Sequence, residues 1–183
     1  EFSGPERLRG EYEPVRPPFA ETGTPPLKNG LNLGAQIFWQ QRTFPSQFDD
    51  AQWLLMYPQY WAFRLTGVAA GEVTSLGCHG DLWEPAAGAY SAMVRTLGWL
   101  PLFPPVRKAS DRLGPVRPEI ARQAGLDPAT PVFCGIHDSN ASLLPHLLSE
   151  RAPFAVVSTG TWVVCMAICG RRVALDPRRD TLL

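Results

Sequence analysis

Residues 131–162 read PVFCGIHDSNASLLPHLLSERAPFAVVSTGTW, and the reading of the whole chain turns on them. Pro131 to Ile136 is a short apolar run with the length and composition of a buried strand. It ends at the polar cluster His137-Asp138-Ser139-Asn140. Ser139 to Ser149 then reads as a helix. Ser139 or Asn140 would cap it, Asp138 would sit at its positive end, and Pro145 would impose a kink or an early stop. Two further apolar runs, 154–158 and 162–168, flank the turn Thr159-Gly160-Thr161 and read as a β-hairpin. Each polar cluster thus falls where a strand surfaces, which is where α/β folds hold their ligands.

The chemistry of the two clusters differs. A carboxylate at a strand end can take the proton of a substrate hydroxyl, and Asp138 is the candidate. At the second cluster, Gly160 lets backbone approach a ligand closely, and neighbouring N–H groups with the Thr161 hydroxyl can cradle phosphate. A base followed by a phosphate cradle points to phosphoryl transfer to an alcohol. Each cluster also has a plainer reading. An Asp before a helix serves as a cap, and Ser158-Thr159-Gly160-Thr161 serves as ordinary turn chemistry.

The ordered pair of motifs resembles a known family. Gly135-Ile136-His137-Asp138-Ser139-Asn140-Ala141-Ser142, followed by Ser158-Thr159-Gly160-Thr161-Trp162, is similar to the FGGY family of carbohydrate kinases. Tyr60-Trp61-Ala62-Phe63-Arg64-Leu65-Thr66-Gly67 and Gly125-Leu126-Asp127-Pro128-Ala129-Thr130-Pro131-Val132 match two further family elements. The His-Asp and Gly-Thr-Trp forms look more like the rhamnulose and fuculose kinases than the xylulose kinases. The likeness runs from about Leu31 to the end of the chain.

The resemblance implies an actin-like, ribonuclease-H-like α/β fold with two domains around a cleft, present here in part. Residues 1–30 would be a proline-rich extended arm. Residues 31–150 would be the C-terminal part of the sugar-binding domain, and 151–183 the start of the ATP-binding domain. It implies Asp138 as catalytic base, with His137, Asp138, Ser139 and His79 at the sugar, and Gly160 and Thr161 at the phosphates of ATP. Asp81 and Trp83 would line the same cleft. Mg²⁺ would accompany ATP, but no metal ligand is identifiable. The first phosphate motif, an Asp-x-Gly-Thr, and the adenine-binding part are not in the sequence, which reads as a fragment inactive alone whose partner is the remainder of the kinase chain. A homodimer is compatible with it.

Bulk properties are those of an ordinary globular protein. The 183 residues are 45% hydrophobic and 19% charged, with zero net charge. Nothing in that balance calls for nucleic acid or an anionic membrane. The longest uncharged apolar run, Trp162 to Cys169, is too short to span a bilayer, and Glu1 to Gly10 lacks the apolar stretch of a signal peptide. Cys78, Cys134, Cys165 and Cys169 form no C-x-x-C, and His79, His137 and His146 are not spaced as a zinc set. Cys134 and Cys165 lie in apolar runs and read as small buried hydrophobes in a reducing cytoplasm.

Elsewhere the pattern predicts mostly helix. Prolines 5, 14, 17, 18, 25 and 26 predict that Glu1 to Asn29 is extended, packed on or linking to something outside this chain. Leu31 to Thr43 reads as a helix ended by Pro45. A second helix opens at Ala51, is broken or restarted at Pro58, and closes at Gly67. Its stripe Trp53, Leu54, Tyr57, Trp61 and Leu65 reads as core. Glu72 to Trp83 reads as a strand or loop, Ser91 to Leu97 and Glu119 to Ala124 as short helices, and Trp99 to Pro118 as irregular with a short strand near Leu113. Two other classes stay open. One is a sugar-binding or protein-interaction module without catalysis. The other, a serine hydrolase, lacks a G-x-S-x-G elbow.

Overall fold

The computed structural model describes residues 3–159, 163–169 and 174–178. It is a mixed α/β chain, in which short helices surround three antiparallel strand pairs. A 3₁₀ turn, Gly4–Leu8, leads into α1 (Arg9–Tyr12) and α2 (Phe19–Thr22). These are followed by α3 (Leu33–Thr43), α4 (Pro45–Asp49), α5 (Tyr57–Thr66) and α6 (Val73–Gly77). Strands β1 (Trp83–Glu84) and β2 (Ala89–Tyr90) make a small hairpin before α7 (Ala92–Thr96). Strand β3 (Arg112–Pro115) and α8 (Pro118–Ala124) come next. Then β4 (Pro131–Phe133) pairs antiparallel with β3 and runs into α9 (Asp138–Ser149). Strands β5 (Phe154–Thr159) and β6 (Val163–Ile168) pair in register from Phe154 opposite Ile168 to Thr159 opposite Val163. The expected hairpin is therefore present, with its turn, including Gly160 and Thr161, outside the described residues. Among the described residues no helix is long and apolar enough to cross a membrane.

The core gathers Tyr12, Ile37, Phe38, Phe48, Met56, Leu76, Leu82, Met93, Val94, Trp99 and Phe103. Trp99 is fully buried, and its indole N–H donates to Gln41 Oε1 at 2.9 Å, so its one polar atom is satisfied. Tyr12 belongs to this core, which corrects the expectation of an extended arm resting on something absent. The prolines cluster at 14, 17 and 18, between helical turns rather than inside them, and Gly4–Tyr12 packs on α3 of its own chain.

The packing is pinned by a buried ion pair. Arg16 donates from Nε to Asp81 Oδ2 at 2.9 Å and from Nη2 to Oδ1 at 2.8 Å, the two-pronged geometry that suits a guanidinium and a carboxylate. The Tyr12 hydroxyl donates to the same Oδ2 at 2.8 Å, and the carbonyl of Thr24 accepts from Arg16. The Arg16 side chain is 8% exposed and that of Asp81 is not exposed at all. Burial first, and then the charge of Asp81, hold the Tyr12 phenol above the usual tyrosine range, so it remains a donor.

Several local expectations need correction. Ala51–Met56 is not helical; the helix after α3 is α4, started by Pro45 at its first turn. Because α5 starts afresh at Tyr57, the apolar stripe loses its phase. Tyr57 and Trp61 are 75% and 50% exposed, and the buried residues of α5 are Gln59 and Ala62. Val73–Gly77 is a helix, because the Glu72 side chain caps it and outweighs the β preference of Val73 and Thr74. Strand β4 ends at Phe133, itself half exposed, so the approach to Asp138 is shorter and less buried than the apolar run suggests. The helix after it passes Pro145 without stopping. Cys134 is buried as expected, but Cys165 faces outward on β6. Gly67 and Gly125 do close α5 and α8 in left-handed backbone, as read from the sequence.

Replacing Arg16 with Met strands the Asp81 charge, and replacing Asp81 with Asn strands that of Arg16. Each single change is expected to lower stability by about 3–5 kcal/mol, and the double change by less than their sum. Urea unfolding of the four proteins measures this, and additive losses would show that the pair is not coupled.

Candidate functional site

The site forms where the β4 exit meets α6 and the loop after it. Past Phe133 the chain turns through Cys134 and Gly135, and Gly135 takes a left-handed φ of +85°. Two side chains fix this turn from opposite directions. Gln59, fully buried on α5, donates from Nε2 to the carbonyls of Cys134 and Gly135 at 3.2 and 3.4 Å. Thr74, in α6, accepts the His137 backbone N–H on its hydroxyl at 3.1 Å. His137 is the extended N-cap of α9, and its side chain makes no capping hydrogen bond.

Asp138 is the first residue of α9, one place later than a capping role requires. Its side chain is 93% exposed. Its Oδ1 accepts the Ser139 backbone N–H at 2.6 Å, lies 3.4 Å from the Ser139 hydroxyl and sits 3.3 Å from His137 Nε2. Three polar atoms of this segment and of the loop after α6 are buried without protein partners: His79 Nδ1, His137 Nδ1 and Asn140 Oδ1. Unpaired buried groups of this kind are costly unless a bound molecule or water meets them.

The loop after α6 brings His79 to the same place. Its backbone is held by the start of α3: Leu33 N–H and Asn32 Nδ2 both donate to the His79 carbonyl, and Gly34 N–H to that of Gly80. Gly80 is needed there, because a Cβ would fall 2.1 Å from the Leu76 carbonyl oxygen. Burial, and next the neighbouring charge of His137, hold the His79 imidazole below its ordinary pKa and so neutral. Burial, with the Asp138 charge second, pushes the Cys78 thiol up to about 11. Cys78 thus lies within electrostatic reach of Asp138, and His79 within that of His137.

The structure thus brings together His79, His137, Asp138 and Ser139 of the sequence-derived set. Gly160 and Thr161 lie outside the described residues. It does not bring Asp81 to the cleft, since that side chain turns inward to Arg16 and is fully buried. Trp83 is half-buried and packs edge-on against Tyr90, with ring centroids 5.3 Å apart. Sequence reasoning missed Gln59, Glu72 and Thr74. Glu72-Val73-Thr74-Ser75 carries a usable signal, an acid two and three residues before two amides that a cap would satisfy, but the β-forming residues obscured it. Gln59 had a weaker one, a polar side chain just after the proline that starts α5.

The fold is one part of the actin-like, ribonuclease-H-like kinase architecture. Residues 22–145 match the N-terminal domain of the FGGY family of carbohydrate kinases, and residues 151–183 match the FGGY C-terminal domain. The chain belongs to the FGGY family of carbohydrate kinases. It is 35% identical over 151 residues to an L-fuculokinase of Haemophilus influenzae, covering 76% of this chain and 30% of that protein. A rhamnulokinase of Halalkalibacterium halodurans is 24% identical over 139 residues, or 72% of this chain and 28% of that one. The crystal structure of a carbohydrate kinase from Novosphingobium aromaticivorans superposes with a TM-score of 0.83 at 44% identity, covering 92% of this chain and 37% of that one. The chain therefore spans about a third of the length of these relatives.

The depressed His79 pKa has a stability consequence. Below the ordinary histidine value of 6.5 the unfolded chain takes up a proton that folded His79 refuses, so this group's contribution is present above that pH and is lost as pH falls through the folded value. Asn tolerates the left-handed φ of +52° at this position and carries no titrating ring. The Tm of the native protein minus that of His79→Asn is expected to shrink between pH 7.5 and 5.5. A pH-independent difference would show that His79 titrates normally.

Proposed function

We propose that the whole protein containing this chain phosphorylates a hydroxyl of a ketose or deoxyketose with ATP, and that Asp138 is the catalytic base. The observation that carries this is the placement of Asp138. It is exposed at the start of α9, it does not cap that helix, and its Oδ1 lies 3.3 Å from Nε2 of His137, whose Nδ1 is buried without a protein partner. A carboxylate there can accept the sugar hydroxyl proton while the same oxygen attacks phosphorus. His137, Ser139 and His79 orient the sugar. Neutral His79 can offer an N–H or a lone pair to a hydroxyl, whichever the sugar requires.

ATP supplies the γ-phosphoryl group, with Mg²⁺ neutralising its charge. Strands β5 and β6 remain paired up to Thr159 and Val163, which supports assigning the sequence between them, with Gly160 and Thr161, to the phosphates. Among the described residues no group of three or more His, Cys, Asp or Glu is placed to hold the Mg²⁺. The two family matches meet between residues 145 and 151, which supports a domain boundary near Ser149 to Pro153. The names of the fuculokinase and rhamnulokinase relatives support a deoxyketose as substrate. A cytoplasmic enzyme fits that role, and a homodimer is compatible with it.

The 183 residues alone are not the catalyst in this reading. Leu144, Leu147 and Leu148 of α9 are 44%, 47% and 82% exposed, and Val157 and Val163 of the hairpin are 59% and 73% exposed. Apolar surface at this density is the kind that the rest of an enzyme covers. The purified fragment is expected to form no sugar phosphate with Mg·ATP, and stoichiometric or faster formation would refute this.

Asp138→Asn tests the base directly in the full-length enzyme. Asn keeps the shape but cannot take the proton, so kcat should fall roughly 10²–10⁴-fold while KM and Tm change little. A near-normal kcat would place the base elsewhere. A panel of ketoses, deoxyketoses and glycerol ranked by kcat/KM tests the substrate class, and glycerol at the top would overturn it.

A further inference from the structure

We infer that Glu72 and Thr74 are positioning residues that aim the His137-Asp138 turn, a reading that rests on Asp138 being the base. Glu72 is 2% exposed, yet its carboxylate is fully engaged. Oε1 accepts the Thr74 backbone N–H at 3.1 Å. Oε2 accepts the Ser75 N–H at 3.1 Å, the Ser75 hydroxyl at 3.2 Å and the Thr74 hydroxyl at 2.5 Å. The last contact sets direction. A hydroxyl has one proton, and Thr74 spends it on Glu72, so toward His137 its oxygen is an acceptor only. That oxygen receives the His137 N–H, the backbone donor immediately before Asp138. A buried carboxylate thereby orients a hydroxyl, and the hydroxyl fixes the peptide from which the base projects. Gln59 holds the carbonyls of Cys134 and Gly135, so the turn is held both before and after Ile136. Without the Thr74 oxygen the His137 N–H would lose its partner and the turn could drift, and small misplacements of a catalytic group cost up to about 10²-fold in rate.

Thr74→Val keeps the shape and removes the acceptor, while Thr74→Ser keeps the hydroxyl. In the full-length enzyme, assayed with a sugar that the native protein phosphorylates, Thr74→Val is expected to lower kcat by about tenfold to a hundredfold with the KM for ATP unchanged. Thr74→Ser should restore most of that rate. Hydrogen exchange over residues 134–143 should quicken in Thr74→Val and stay native-like in Thr74→Ser. If Thr74→Val fails to fold, Thr74→Ala replaces it, since it also removes the acceptor of the His137 N–H and should produce the same loss. A lowered Tm with native kcat and native exchange would show a purely structural role and overturn the inference. Asp138→Asn is run alongside. If it is inactive while Thr74→Val is fully active, the inference alone fails. If Asp138→Asn is itself active, the base assignment fails and the inference falls with it.

Discussion

The arrangement depends on one buried charge pair. Asp81 sits in left-handed backbone with no exposed surface, and a lone carboxylate could not remain ionised there. Arg16 and Tyr12 satisfy both of its oxygens. A pair of this kind adds little net stability over apolar residues of the same size, but removing either half is costly. What it achieves is location. It ties the N-terminal helical turns to the loop between α6 and β1, and that loop carries His79. The placement of the loop that carries His79 thus traces back to an arginine 65 residues before Asp81.

From that anchor the site is assembled by backbone contacts more than by side-chain ones. The start of α3 holds the carbonyls of His79 and Gly80. α5 and α6 hold the carbonyls and the N–H on either side of the turn into α9. The imidazoles of His79 and His137 and the Asn140 amide oxygen keep atoms without protein partners, while the Asp138 carboxylate stays exposed. Rigid backbone with uncommitted side chains is what orientation-dependent proton transfer requires.

How much of this the sequence disclosed follows from the range of the interactions. Glycine stops, proline starts and the strand-turn-strand pattern are local, so the ends of α5 and α8 and the β5–β6 hairpin were legible. His137, Asp138 and Ser139 were legible because they are contiguous, and His79 because its segment follows a family element. The role of Asp81 was misread. An acid next to a glycine in a polar turn looks solvated, and only a partner far away in sequence reverses that. The aromatic stripe on α5 failed for the opposite reason. Periodicity assumes one continuous helix, and the restart at Pro58 rotates the later residues out of phase. Glu72 was hidden by its neighbours, whose β preference is weaker than a side-chain cap that meets two backbone amides.

The spacing of the buried pair also bears on how the chain comes off the ribosome. Arg16 emerges well before Asp81, and a loop of 65 residues must close before the two can meet. Throughout that interval Tyr12 and the turns around it have neither their acid nor most of the core that buries them, because Leu76, Leu82, Met93, Val94 and Trp99 are still to come. The helical turns around Tyr12 are therefore made before most of the residues that lock them. A nascent chain paused before Asp81 exposes these turns to chaperones and proteases in a form that the finished protein never presents.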